Sequence, residues 1–229
     1  MGIFDRFRRD LPSTPQPGPE GEVTQDDIDE AAREAVIPAF LTREEAIEQV
    51  GEYLDLPEDD PRPAAAVDAV IEVRRAQVRA MTGPGTYHRV QRAFDVLAEQ
   101  GVVARMNFTC CQTCGHAEIG DERADPQAQR DWGYTFFHQQ DATRLATAGE
   151  DLFLSYGIFA PAPDLDPQLR ARADAGDVSA QEEATELSRV LAGRAVAQAL
   201  RSQGLDVDWD DDTSRRIQVA VGVWDKPLP

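Results

Sequence analysis

Apolar positions recur first at helical spacing and then at strand spacing, and the change falls near residue 102. Thr24 ahead of Asp26 and Asp27 is a helix N-cap with acids placed to complement the positive end of the helix dipole, and the helix runs to about Ile37 before Pro38. Thr42 with Glu45 forms a capping box opening a second helix, whose stripe is Ala46, Ile47, Val50 and Leu54. Pro63 suits the first turn of a third helix past Val67, Val70, Ile71, Val78 and Met81, stopped by Gly83-Pro84-Gly85. Thr86 opens a fourth through Val90, Phe94 and Leu97, and Gly101 closes it.

Beyond that point, residues 102–108, 134–139 and 152–159 are short, apolar and β-branched or aromatic, which predicts strands, with a short helical connection over 143–149. A proline-rich excursion over 161–167 precedes a long helix over 180–202 carrying Leu187, Val190, Leu191, Val196 and Leu200, stopped by Gly204. Residues 205–210 and 217–224 pair as a terminal hairpin. The fold class is therefore α+β: an N-terminal helical region over 24–85, then, over 86–229, a mixed sheet of about five strands flanked by helices. Residues 1–23 read as a disordered tail and linker. Ile3, Phe4 and Phe7 beside Arg6, Arg8 and Arg9 make too short an amphipathic face for an anchor, and prolines at 12, 15, 17 and 19 mark a solvated segment.

Composition narrows the function classes. Hydrophobic residues are 41% and charged residues 28%, enough apolar side chain for a core. Against 42 acidic residues stand 23 Lys and Arg, a net charge of −19 that repels phosphate backbones and favours cationic partners. Nucleic acid is thus not an expected partner. No run approaches the ~18 apolar residues of a membrane span, and the N-terminus lacks a secretory apolar region, so a cytoplasmic protein without membrane contact is expected. Three cysteines crowded at 110, 111 and 114 fit a reducing compartment. The Asn107-Phe108-Thr109 glycosylation triplet is then a chance match.

The candidate chemistry lies in Asn107-Phe108-Thr109-Cys110-Cys111-Gln112-Thr113-Cys114-Gly115-His116. Thr109 and Gln112 form a capping box that would set Cys110 and Cys111 in a first helical turn, with the three thiols over about 100° of one face. Three readings compete. Cys111 and Cys114 form a Cys-x-x-Cys redox pair after a strand. Cys111, Cys114, His116 and His138 would ligate zinc if the later strand returned beside the helix, although a second Cys-x-x-Cys or His pair is absent. Alternatively the cysteines are small apolar side chains packing a strand-to-helix turn, with no cofactor. His138 ends a strand, and with Asp141 orienting it toward a cysteine it would complete a thiol nucleophile. His88 reads as a surface side chain.

Other motifs dissolve on inspection. Asp206 to Asp212 suggests calcium, but Asp211 stands where the loop needs glycine and Ile217 where it needs the bidentate glutamate. Alternation instead buries Val207 and Trp209 and leaves the aspartates in water. Gly83-Pro84-Gly85 lacks the spacing and lysine of a phosphate loop, and Ser155 lacks a nucleophile elbow.

Three blocks carry a family resemblance: NFTCCQTCGHAEIGDE over 107–122, GYTFFHQQD over 133–141, and LFLSYG over 152–157 followed by the C-terminal helix and hairpin. In these blocks the chain resembles a family of uncharacterised, mainly actinobacterial proteins that share a domain of unknown function. The likeness spans about 102–217, leaves the N-terminal helices outside, and implies a shared fold without a reaction, cofactor or partner. The leading expectation is a non-catalytic acidic module that binds a protein, basic in character, as immunity proteins bind nucleases. Its rival is a thiol redox or zinc protein using Cys111 and Cys114, with Cys110, His116, His138 and Asp141 as further candidates.

Overall fold

The computed structural model describes residues 22–123, 130–147 and 149–229, so the expected tail and linker lie, up to residue 21, outside the described residues. Helices α1 (Gln25–Val36), α2 (Arg43–Tyr53) and α3 (Arg62–Ala80) come first, then α4 (Thr86–Glu99). The expected N-cap at Thr24 and capping box at Thr42 both form, and Thr24 makes a full box too: the Thr24 and Thr42 hydroxyls accept from the Asp27 and Glu45 amides, and each acid returns to its cap backbone. Ile28, Ala32, Val36, Val50, Val67 and Ile71 fill a core between the first three helices.

Strands β1 (Val102–Arg105), β2 (Gly133–Phe136), β3 (Asp151–Ile158), β4 (Val207–Asp208) and β5 (Ile217–Ala220) form one sheet in the order β1-β2-β3-β5-β4. β1 runs parallel to β2 and every other pair is antiparallel, so the sheet is mixed. Between them come α5 (Gln112–Glu118), α6 (Gln139–Ala142), α7 (Pro167–Asp174) and α8 (Val178–Ser202). The hairpin alternation holds: Val207 and Trp209 are buried while Asp206, Asp208 and Asp210 are exposed.

The two faces of the sheet differ. On one, Leu152 opposite Val219 and Leu154 opposite Ile217 pack under α4 and α8 with Val90, Leu97, Val196 and Leu200. α8 approaches through small residues. Its buried stripe is Ala180, Ala184, Ser188, Ala192, Val196 and Leu200, a row at i, i+4 spacing, whereas the expected stripe residue Leu187 is 43% exposed. The large side chains come from the sheet, so the helix supplies the groove. On the other face, α5 and a 3₁₀ turn (Ile119–Glu122) cover β1 and β2 through Val103, Ile119 and Phe136, and the β3–β5 half is left more open.

Several boundaries move. The first strand stops at Arg105, and the second ends before His138, which instead caps α6. α7 lies just past the proline-rich stretch, held by Asp166, whose carboxylate accepts from the Gln168 and Leu169 amides. Thr86 does not cap α4; Asp225, 140 residues away, accepts from the Gly85 amide at 2.7 Å and pairs with His88 Nδ1 at 2.5 Å. His88 is therefore tied down.

Gly193, in the middle of α8, would direct a Cβ to within 2.3 Å of the Trp209 ring. A helical Gly→Ala change ordinarily gains about 1 kcal/mol, but overpacking a filled contact costs about 1–3 kcal/mol. Gly193→Ala is expected to lower the urea midpoint; a raised midpoint would show that Trp209 moves aside freely.

Candidate functional site

The turn joining β1 to α5 is built from two unusual backbone positions. Asn107 and Thr109 have φ of 51° and 56°, in the left-handed region that non-glycine residues occupy at a cost. The turn is pinned to the far side of β2: the Phe108 amide donates to Phe137 O at 2.8 Å, and the Gln139 amide to Thr109 O at 3.1 Å. The left-handed Thr109 rules out the expected capping box. Its hydroxyl donates instead to Cys111 O at 3.2 Å, and Cys111 becomes the residue before the first turn of α5. Gly115 then sets the depth of the helix, because a Cβ there would fall 2.3 Å from the Phe136 ring.

Cys110 and Cys111 thus precede the helix and Cys114 lies in it, an arrangement that gathers all three sulfurs within 4.8 Å of one another. The Cys110 and Cys114 sulfurs are 3.5 Å apart. Cys110 is exposed and the other two are half-buried, all as free thiols. The expected enclosure of all three in an apolar interior is not seen, since the turn leaves Cys110 exposed and Cys111 and Cys114 half-buried. The Cys114 amide, then the Cys114 and Cys110 thiols and the Thr113 amide, hold the Cys111 thiol below its ordinary value. Hydrogen bonds from Cys110 and Cys111, and their charge, push Cys114 up to about 12. Cys111 therefore accepts a negative charge readily, and Cys114 beside it resists a second.

The two histidines stand apart from this group. His116 Nδ1 meets the Tyr134 hydroxyl at 3.0 Å, and its ring packs on Phe136 with centroids 5.2 Å apart. Burial, with the Arg216 charge second, holds its imidazole below the usual value and so neutral. His138 is 5% exposed. Its Nδ1 accepts from the Asp141 amide at 3.2 Å, which assigns the ring proton to Nε2, 3.1 Å from Asp141 Oδ2. Burial, outweighing the attraction of Asp141, keeps this ring neutral too. His138 and Asp141 do pair as the nucleophile reading requires, but Asp141 occupies both ring nitrogens, so the pair caps α6 instead of serving a thiol. The zinc quartet Cys111, Cys114, His116 and His138 is likewise not gathered: among the described residues the donor cluster is the three cysteines.

Arg216 was not singled out from the sequence. Its Nη2 donates to Asp141 Oδ2 and to Phe153 O, and its guanidinium lies 5.6 Å from the Phe153 ring centroid, so it fastens β5 to α6 across β3. The available signal was its place just before β5, where alternation sets it on the face opposite Ile217.

Fold and site together define an α+β domain whose candidate chemistry is a surface cluster of three thiols. The chain belongs to the family described as Domain of unknown function (DUF6891), whose model matches residues 21–228. That match takes in α1–α3, correcting the narrower span read from the motif blocks. No curated protein and no solved structure matches the chain. No described helix is long and apolar enough to cross a membrane.

Because Cys111 is held low and Cys114 high, iodoacetamide at pH 7 is expected to label Cys111 before Cys114. The rate at Cys111 should rise with pH through a midpoint below that of an ordinary thiol. Peptide mass mapping reads the order, and equal rates at Cys111 and Cys114 would overturn it.

Proposed function

We propose that the three cysteines bind a thiophilic metal ion of the zinc class, each contributing one thiolate. The observation that carries this reading is the mutual proximity of three free, accessible sulfurs on a strained turn. Zinc–sulfur bonds of about 2.3 Å at the tetrahedral angle put ligand sulfurs about 3.8 Å apart. The 3.5 Å between Cys110 and Cys114 and the 4.8 Å limit on all three fit that demand with side-chain adjustment alone. Three thiolates would leave a fourth position for water or another ligand, the open coordination that distinguishes catalytic sites from closed structural ones. The bound ion would supply positive charge and Lewis acidity there; the chain supplies the turn that holds the sulfurs together.

Native mass spectrometry of the full chain with added zinc is expected to find one ion per chain. Cys110→Ser, Cys111→Ser and Cys114→Ser should each weaken binding tenfold or more, on the order of 1.4 kcal/mol, while the circular dichroism spectrum stays unchanged. Full-length chain that takes up no zinc, or serine variants that bind equally well, would overturn the reading. Loss of two hydrogens in the intact mass, instead of metal uptake, would favour the redox alternative.

The net charge of −19 supports a second reading that is compatible with the first: a cationic protein partner, recognised through long-range attraction. Retention of a basic protein at low salt should be lost at about 0.5 M salt, where screening shortens the reach of charge to a few ångströms. Retention insensitive to salt would count against it.

A further inference from the structure

A cleft of about 330 Å³, the size of small-metabolite sites, is lined by residues 155–158 of β3 together with side chains from α5, α8 and the approach to β5. Arg189 from α8, Arg215 and Arg216 from the approach to β5, His116 from α5, and Tyr134 and Ser155 from the sheet are among its walls. Among the described residues that line it, none is Asp or Glu. In a chain with 42 acidic residues against 23 Lys and Arg, three guanidiniums thus line one depression whose described lining holds no carboxylate.

Two buried polar groups in this cleft lack partners. Ser155 is 1% exposed, and its Oγ makes no hydrogen bond. Arg216 spends Nη2 on Asp141 and Phe153, but its Nε is buried and unpaired. The β3–β5 register sets Leu154 opposite Ile217, which places Ser155 opposite Arg216. A hydroxyl and a guanidinium N–H, each costly to leave unsatisfied, therefore lie side by side on adjacent strands. Both can donate. The other two guanidiniums reach carboxylates outside the lining: Arg189 meets Glu186 at 3.6 Å, and Arg215 meets Asp208 and Asp210 at 3.3 Å. Those pairs are exposed and cost little to exchange for a bound anion.

We propose that this cleft binds a small oxyanion, the carboxylate or phosphate of a metabolite-sized molecule, with Ser155 and Arg216 donating at its floor and Arg189 and Arg215 closing on it from the rim. Planar guanidinium forks match either oxyanion, and the donor set is the same for both. The cleft and the thiols share α5, since Gln112 lines the one and follows Cys111 in the other, yet neither reading depends on the other.

Titration calorimetry and thermal unfolding of the full chain in sodium phosphate, and separately in sodium succinate, against sodium chloride of equal ionic strength, test the proposal. One oxyanion is expected to bind saturably and to raise the melting temperature above the chloride control, and which of the two does so assigns the source. Arg189→Gln, Arg215→Gln and Ser155→Ala should each weaken that binding about tenfold. The two arginine side chains are half-exposed, and Ser155→Ala removes an unsatisfied group, so the variants should fold; unchanged circular dichroism and unchanged iodoacetamide labelling of the cysteines check this. No saturable binding of either anion, or variants that bind as tightly as the parent, would overturn the proposal while leaving the thiol reading standing.

Discussion

Residues 221–229 hold the two cores together, and Trp224 is where they meet. Its ring packs against Phe40 beyond α1, Tyr87 in α4 and Phe137 beyond β2. Its indole N–H donates to Pro38 O at 3.0 Å, and its own carbonyl accepts from Arg74 of α3, a guanidinium that is 4% exposed. The next residue, Asp225, collects the Gly85 amide and the His88 ring and so starts α4. Burial raises the Asp225 carboxyl, but these donors together pull it below the usual value, so the contact is sustained at neutral pH and lost as acid protonates the group. Leu228 then packs on the α1–α3 core. A segment with no regular structure thus supplies an aromatic anchor, a cap and a plug to elements more than a hundred residues earlier.

With the halves joined in this way, the sheet is left asymmetric. The long α8 closes one face completely because its Ala, Ser and Gly positions let the helix sit close, and Trp209 fills the space that Gly193 leaves. The short α5 closes only the β1–β2 half of the other face, and its depth is set by Gly115 against Phe136. Both candidate sites lie at that incomplete cover: the thiols at the start of α5, the basic cleft beyond its flank. Buried groups with unspent hydrogen bonds collect where a layer ends, since a fully covered sheet would have paired or excluded them.

Features encoded within a few residues were legible in the sequence. The N-cap at Thr24, the capping box at Thr42 and the alternation of Val207 and Trp209 all rest on neighbours no more than four positions apart. What escaped depends on distant partners. The cap on α4 comes from Asp225, the fastening of Asp141 from Arg216, and the exposure of the cysteines from a turn whose Thr109 is left-handed because Phe108 and Gln139 bind across to another strand. His138 read as a chemical group because a strand-end histidine exposes its ring by default; here the chain turns immediately into α6 and the imidazole becomes a cap. Leu187 illustrates the converse error. Large apolar residues mark a helix's buried face only when the partner surface is not itself large, and opposite this sheet the small residues point inward.

The electrostatics of the thiol cluster bear on what it is suited to hold. Amides and neighbouring thiols lower the Cys111 thiol, while hydrogen bonds with Cys110 and Cys111, and their charge, raise Cys114 to about 12. Neutral donors of this kind stabilise one thiolate; a second within 4.8 Å meets its repulsion with nothing to offset it. Three thiolates in that volume require a positive charge placed among them. On the proposed reading, a divalent cation would supply that charge and displace the thiol protons as it bound. The turn brings the sulfurs within 4.8 Å of one another, close enough to share an ion, whose uptake would have to displace the protons that Cys114 holds most firmly.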